Sequence, residues 1–100
     1  MSAMSAFTGA VGEIARLLRE NAPSHPVLNR AASQLDQLGR KLHGMGFVHD
    51  REIADCFTAA VGGLSACHAL PEESRPEAVG EVVRHLEAAM SRMETGGLSP

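Results

Sequence analysis

The sequence of 100 residues has no tryptophan and no tyrosine, and its aromatic side chains are Phe7, Phe47 and Phe57. A core built from this chain must therefore depend on Leu, Val, Ala, Met and Ile. Large flat side chains line many ligand pockets and dominate the energetics of protein interfaces. They also provide the platforms on which single-stranded nucleic acids stack. Their scarcity argues against both a conventional ligand pocket and a base-stacking surface.

An excess of positive charge is also missing. Nine Lys and Arg residues stand against twelve Asp and Glu residues, which gives a net charge of −3 with neutral histidines. Because phosphate neutralisation dominates binding to nucleic acids, we expect no nucleic-acid partner. Lys41 is the lone lysine, and this preference for arginine is typical of a GC-rich bacterial genome.

Long apolar runs are absent too. The uncharged stretch from residue 56 to residue 71 contains two glycines and His68, and it is too short to cross a bilayer. The first dozen residues lack the basic start and the aliphatic stretch of a signal peptide. Two cysteines, Cys56 and Cys67, do not make the disulfide framework of a small secreted protein. We therefore expect a cytoplasmic protein with no membrane partner.

Apolar residues recur at alternating spacings of three and four along the whole chain, which is the period of an amphipathic helix. Proline and glycine interrupt this pattern, and the uninterrupted segments predict helices at about 4–21, 25–43, 50–69 and 75–94. Short connections between helices favour antiparallel neighbours. The sequence thus predicts a single all-α domain over residues 1–100, a four-helix up-down antiparallel bundle built from two αα-hairpins.

Local signals at the helix ends agree with the period. Ser24, with Pro26 nearby, and Asp50 are placed to cap the second and third helices. The segment from Ser74 to Glu77 has the sequence of a capping box with proline in the first turn. Opposite charges four residues apart are expected to support three of the helices, in the pairs Arg16/Glu20, Asp36/Arg40 and Arg51/Asp55.

The third helix is rich in small residues. One stripe is formed by Cys56, Ala60, Gly63 and Cys67, with Ala59 beside it. A glycine in the middle of a helix costs roughly 1 kcal/mol relative to alanine, so a close approach by another helix is expected to offset the cost. That helix belongs either to a partner or second copy, or to the same bundle, where a bulky Leu or Met would fill the groove. We take these five residues as the candidate interaction site.

The histidines and cysteines are candidates for a disulfide, a metal site or a catalytic site. Cys56 and Cys67 are three helical turns apart, or about 16 Å at 1.5 Å per residue, so they can neither bond nor share a metal unaided. Cys67 and His68 are adjacent and point about 100° apart on a helix, which does not suit a nucleophile and its base. His43 and His49 flank a glycine-containing connection and can converge, yet no CxxC, HxxxH or ExxH pattern accompanies them. We predict no metal, no cofactor and no enzymatic activity.

A further histidine, His85, lies on a predicted helix, as does the reactive histidine of one known class of helical bundle. Histidine phosphotransfer domains resemble the predicted architecture and use an exposed histidine on a helix. His85 follows Glu81 by one helical turn, but it is followed by Leu-Glu-Ala-Ala in place of the His-x-x-Lys-Gly signature of those domains. Phosphotransfer through His85 is kept as a further alternative.

The functional prediction is a non-catalytic protein–protein interaction module, a small bacterial adaptor, chaperone-like or inhibitor/immunity-type protein that acts through a helix face. Its partner is another protein or a second copy, and we expect a homodimer. Opening of the connection at 43–49 would let two hairpins pair with another copy, by association or exchange. The alternative is a small-molecule or metal-binding bundle that uses Cys67 and His68, with His43 and His49.

Overall fold

The computed structural model describes residues 3–44 and 51–94. This part of the chain is helical and contains no strand. None of its helices combines the length and the apolar character that a membrane span requires. The predicted helix bounds agree with the observed ones to within two residues at each end, the observed helices being α1 (Ala3–Glu20), α2 (His25–Gly44), α3 (Arg51–Cys67) and α4 (Arg75–Glu94).

The four helices form the predicted up-down bundle. Each helix contacts the next one along the chain, and α4 closes the arrangement by packing against α1. Thr8 in the first half of α1 donates to the sulfur of Met93 at the end of α4, whereas Arg19 at the end of α1 pairs with the earlier Glu87, so these two helices are antiparallel. The same holds for α2 and α3, because Gly39 late in α2 lies against Phe57 early in α3. The connection between α2 and α3 falls outside the described residues, and so does Asp50, its predicted cap.

All four helices contribute the residues of their apolar stripes to one core. Leu28, Leu35, Leu64 and Leu86 are fully enclosed. Burying a leucine contributes roughly 1.5–3 kcal/mol, so each of these four side chains is a substantial contributor to the bundle's stability. On α3 every member of the predicted apolar stripe is buried, namely Ile53, Phe57, Ala60, Leu64 and Cys67.

The starts of α2 and α4 differ from one another. Ser24 caps α2 as predicted: its Oγ accepts the backbone N–H of Val27 at 3.4 Å, and its carbonyl accepts that of Leu28 at 2.9 Å. Ser74 was expected to cap α4 but lies inside a 3-10 turn, Glu72–Ser74, that continues into α4 through Arg75 in helical conformation. A residue that is itself helical cannot act as the extended N-cap of the next helix.

Exposed ion pairs follow the predicted spacing at two of the three places. Arg16 and Glu20 lie 3.4 Å apart, and Asp36 and Arg40 lie 3.2 Å apart. Exposed pairs of this kind stabilise a helix by only a few tenths of a kcal/mol, so they support the helices without determining the fold. A further pair, between Arg19 and Glu87, joins α1 to α4.

Candidate interaction surface

The inner face of α3 contains three of the five residues predicted to contact a partner. Ala60 and Cys67 are 0% exposed. A Cβ added to Gly63 would lie 2.7 Å from Cγ2 of Val82, a distance that real Cβ contacts do not reach. The helix that approaches the glycine is therefore the chain's own α4. Of the two possibilities given for the approaching helix, Gly63 fits the one in the same bundle, and the facing residue is a valine instead of Leu or Met.

The remaining two predicted residues lie further from the core. Cys56 is half-buried and packs against the core cluster, whereas Ala59 is exposed. Ala59 was predicted beside the stripe, and it projects about 100° away from its neighbour Ala60. Of the five residues predicted as the interaction site, only Ala59 therefore belongs to the solvent side of α3.

That solvent side has charged residues only in its first part, where Arg51 and Asp55 are exposed, and none further along. The sequence has no Asp, Glu, Lys or Arg from residue 56 to residue 71. Three small residues along it and a fourth in the turn that follows α3 are spaced by three and four and are all exposed. We call them the outer stripe, Ala59, Gly62, Ala66 and Ala69. A Cβ added to Gly62 would meet no heavy atom within 4 Å. The described part of the chain thus gives no packing reason for a glycine at this position.

A shallow groove lies beside the outer stripe. Phe57, Thr58 and Val61 of α3 form one wall, and Leu35, Asp36, Gly39 and Arg40 of α2 form the other. The groove exists because Gly39 leaves room beside the phenyl ring, where an added Cβ would lie 3.7 Å from Cδ2 of Phe57. Exposed Thr58 belongs both to this α2–α3 groove and to the solvent side of α3, so the two features form one continuous surface.

The opposite side of the bundle has a groove of different character. It lies between α1 and α4, and its wall includes the ion pair of Arg19 with Glu87 as well as Arg84. Arg84 in turn pairs with Glu81. Charged, paired side chains of this kind are typical of a solvated helix surface, which makes α3 the less usual of the two faces.

Two histidines from different helices meet at one end of the bundle. The Nδ1 atoms of His25 and His68 lie 2.6 Å apart, and the planes of the rings differ by 4°. Parallel planes cannot be further apart than their nearest atoms, so these rings are too close for face-to-face stacking. They meet edge to edge through a nitrogen–nitrogen hydrogen bond, and the centroid distance of 4.9 Å fits this arrangement. We call His25 and His68 the histidine pair.

Arg75 extends this contact into a chain of hydrogen bonds. Its Nη2 lies 3.3 Å from Nε2 of His25, and its Nε donates to the carbonyl oxygen of Leu70 at 3.2 Å. A guanidinium only donates, so Nε2 of His25 must accept. The proton of a neutral His25 is then on Nδ1, which donates to Nδ1 of His68. Because Arg75 can only donate, it determines which atom donates and which accepts in each hydrogen bond of this chain.

The same geometry limits the chemistry of Cys67 and His68. Burial raises the pKa of the Cys67 thiol, and the charge of Arg75 opposes that effect only in part. A protonated, enclosed thiol is a poor nucleophile and a poor metal ligand. The His68 ring meanwhile contacts His25. The predicted metal alternative also used the side chains of His43 and His49, which fall outside the described residues. Among the described residues, no three His, Cys, Asp or Glu side chains cluster as a metal site would require.

His85 is half-buried on α4, and Glu81, one helical turn before it, pairs with Arg84. A phosphotransfer histidine must be accessible to a partner's active site, and the half-buried ring suits that role poorly.

Sequence reasoning missed both the histidine pair and the outer stripe. His25 begins α2 and His68 follows α3, so an antiparallel hairpin brings them together although 43 residues separate them. Counting from the helix ends would have found this contact. The outer stripe has spacings of three and four like the inner one, so spacing alone does not show which of the two is exposed. No protein-family model, no curated protein and no solved structure matches the chain.

Proposed function

We propose that the protein is a non-catalytic protein–protein interaction module that self-associates through the outer stripe of α3. The observation that carries the proposal is an exposed helix face with small residues at heptad-like spacing and no charge from residue 56 to residue 71. Exposed faces of a monomeric bundle usually have charged residues that keep them in water. An uncharged face of small residues lets a second helix approach closely.

A two-fold axis suits the order of these residues. If two α3 helices cross in antiparallel orientation near Gly62, Ala59 of each copy faces Ala66 of the other. Every contact is then made twice, as in an isologous dimer. Gly62 at the centre allows the backbones to come together, which accounts for a glycine whose added Cβ would meet no heavy atom within 4 Å in the described part of the chain.

The same surface fits the broader role of a small adaptor, chaperone-like or inhibitor-type protein. The α2–α3 groove lies next to the outer stripe and adds Phe57 and Val61 to the apolar area that a partner can cover. We place this activity in the cytoplasm of a bacterium, with a protein as the partner and without nucleic acid or membrane. The protonated, enclosed Cys67 thiol is in keeping with a non-catalytic role.

A matched pair of substitutions tests the proposal. Gly62→Arg puts a long charged side chain on the outer stripe, and Gly9→Arg puts the same side chain on the exposed face of α1. Neither glycine has a heavy atom within 4 Å of an added Cβ, so both variants are expected to fold. Sedimentation velocity over a range of concentrations should show dimers for the parent protein and for Gly9→Arg. It should show monomers for Gly62→Arg.

Two results would reject the proposal. A parent protein that stays monomeric at every concentration would exclude self-association. A Gly62→Arg variant that dimerises as well as the parent would exclude the outer stripe as the interface. Circular dichroism of both variants shows whether the helical content is retained, which separates loss of the interface from loss of the fold.

A further inference from the structure

We propose that the histidine pair and Arg75 form a pH-sensitive latch, which ties the start of α2 to the connection between α3 and α4 while both imidazoles are neutral. This is independent of the proposed self-association. His25 is the first residue of α2, His68 directly follows α3, and Arg75 is the first residue of α4. One chain of hydrogen bonds therefore joins three elements at the same end of the bundle.

The latch depends on the match of donors and acceptors. A proton added to Nε2 of His25 would face the Nη2 donor of Arg75 across 3.3 Å. A proton added to Nδ1 of His68 would face the Nδ1–H of His25 across 2.6 Å. Either proton turns an acceptor into a donor and breaks one bond of the chain. Either also places a second positive charge close to the guanidinium of Arg75.

A protonated His68 no longer accepts the Nδ1–H of His25. It can donate to His25 only if His25 holds its own proton on Nε2, where that proton faces the donor of Arg75. One bond of the chain is lost in either arrangement. Protonation therefore opens the latch by either route.

Other charged groups on the elements that meet here are further along each element or exposed. The carboxylates are solvent-exposed and act through water, where their effect on the rings is screened. The thiol of Cys67 is kept protonated by burial and contributes no charge. The groups concerned are Glu20 on α1, which pairs with Arg16, Arg30 on α2, Cys67 on α3, Glu72 and Glu73 in the 3-10 turn, and Glu77 on α4.

A bridging metal ion does not fit this arrangement. A metal between the two Nδ1 atoms needs the lone pair of each, so His25 would have to hold its proton on Nε2. That proton would point at Arg75, which already donates there. The geometry therefore favours a proton between the rings.

A double-mutant cycle tests the latch. The variants His25→Ala, His68→Ala and the double variant are unfolded with urea at about pH 8 and about pH 5, the range in which imidazoles change charge. At the higher pH, the double variant should shift the midpoint by less than the sum of the single shifts, because each single change already breaks the contact. At the lower pH the shifts should add. The control cycle of His25→Ala with His85→Ala should be additive at both values.

Three outcomes would overturn the proposal. One is coupling between His25 and His68 that is equal at both pH values, and another is no coupling at the higher pH. The third is a rise in the midpoint on adding zinc to the parent protein that is absent in His25→Ala, which would assign the pair to a metal. Nitrogen-15 NMR of the rings gives a direct check: at the higher pH, His25 should hold its proton on Nδ1 and His68 on Nε2.

Discussion

At the scale of single residues, two adjacent glycines in α3 have opposite roles. Gly63 faces Val82 so closely that an added Cβ would lie 2.7 Å from it, whereas Gly62 faces open space. Gly63→Ala should therefore destabilise the protein by about 1–3 kcal/mol, because valine is branched at Cβ and cannot turn aside without strain. Gly62→Ala should stabilise the monomer by up to about 1 kcal/mol through helix propensity. Urea unfolding of both variants checks the two signs.

Val82→Ala provides the control for that pair of variants. Removing the methyl groups that face position 63 should recover part of the stability lost in Gly63→Ala, as a favourable coupling in the double variant. If Gly63→Ala were as stable as Gly62→Ala, the close packing of α3 on α4 would be contradicted.

A second prediction at this scale concerns the two thiols. Burial raises the pKa of Cys67, so its reactive thiolate is scarce at neutral pH, while Cys56 is only half-buried. Iodoacetamide followed by mass spectrometry should label Cys56 first and Cys67 only once the protein unfolds. Stability should fall as the pH rises through the ordinary thiol pKa of 9.0, because the unfolded chain then releases a proton that folded Cys67 retains. Equal labelling rates in the folded protein would contradict the enclosed position of Cys67.

At the scale of the elements, the sequence predicted the helices well because their period and their boundaries are local properties. It missed how α3 ends and α4 begins. The backbone N–H groups of Ala69 and Leu70 bind the carbonyls of Ala66 and Cys67, which tightens the last turn and ends α3 two residues early. The 3-10 turn before α4 then takes the place of the expected cap. Both details depend on how two helices are joined in space, which periodicity does not record.

The cap of α2 allows a direct test of an element boundary. Ser24→Ala should destabilise the protein by about 0.5–1 kcal/mol, at the low end for a cap because the bond to Val27 is long at 3.4 Å. Ser24→Asp should retain the stability, since a carboxylate also accepts at a helix start and suits the dipole. Urea midpoints of the two variants are the measurement, and an unchanged Ser24→Ala would show that the cap contributes nothing.

At the scale of the whole molecule, the up-down arrangement followed from short connections and from four similar apolar stripes. The apolar period placed Ala60 and Cys67 in the core, but it did not show which helix approaches Gly63. Ala59 and Ala60 are alike in composition, and the packing of α4 against α3 places one in the core and the other on the surface. Three of the five residues predicted as the interaction site therefore face α4, and of the five only Ala59 is exposed.

The two consecutive glycines of α3 also affect how often this part of the helix opens to solvent. Consecutive glycines give this backbone more freedom than any alanine pair would, and one side of it faces water in the single chain. Amide hydrogens there should exchange with deuterium faster than those in the middle of α4, although both helices share one core. A second copy covering the outer stripe would slow that exchange in proportion to its occupancy. The amide exchange rate in the middle of α3 would then report the fraction of molecules that are dimeric.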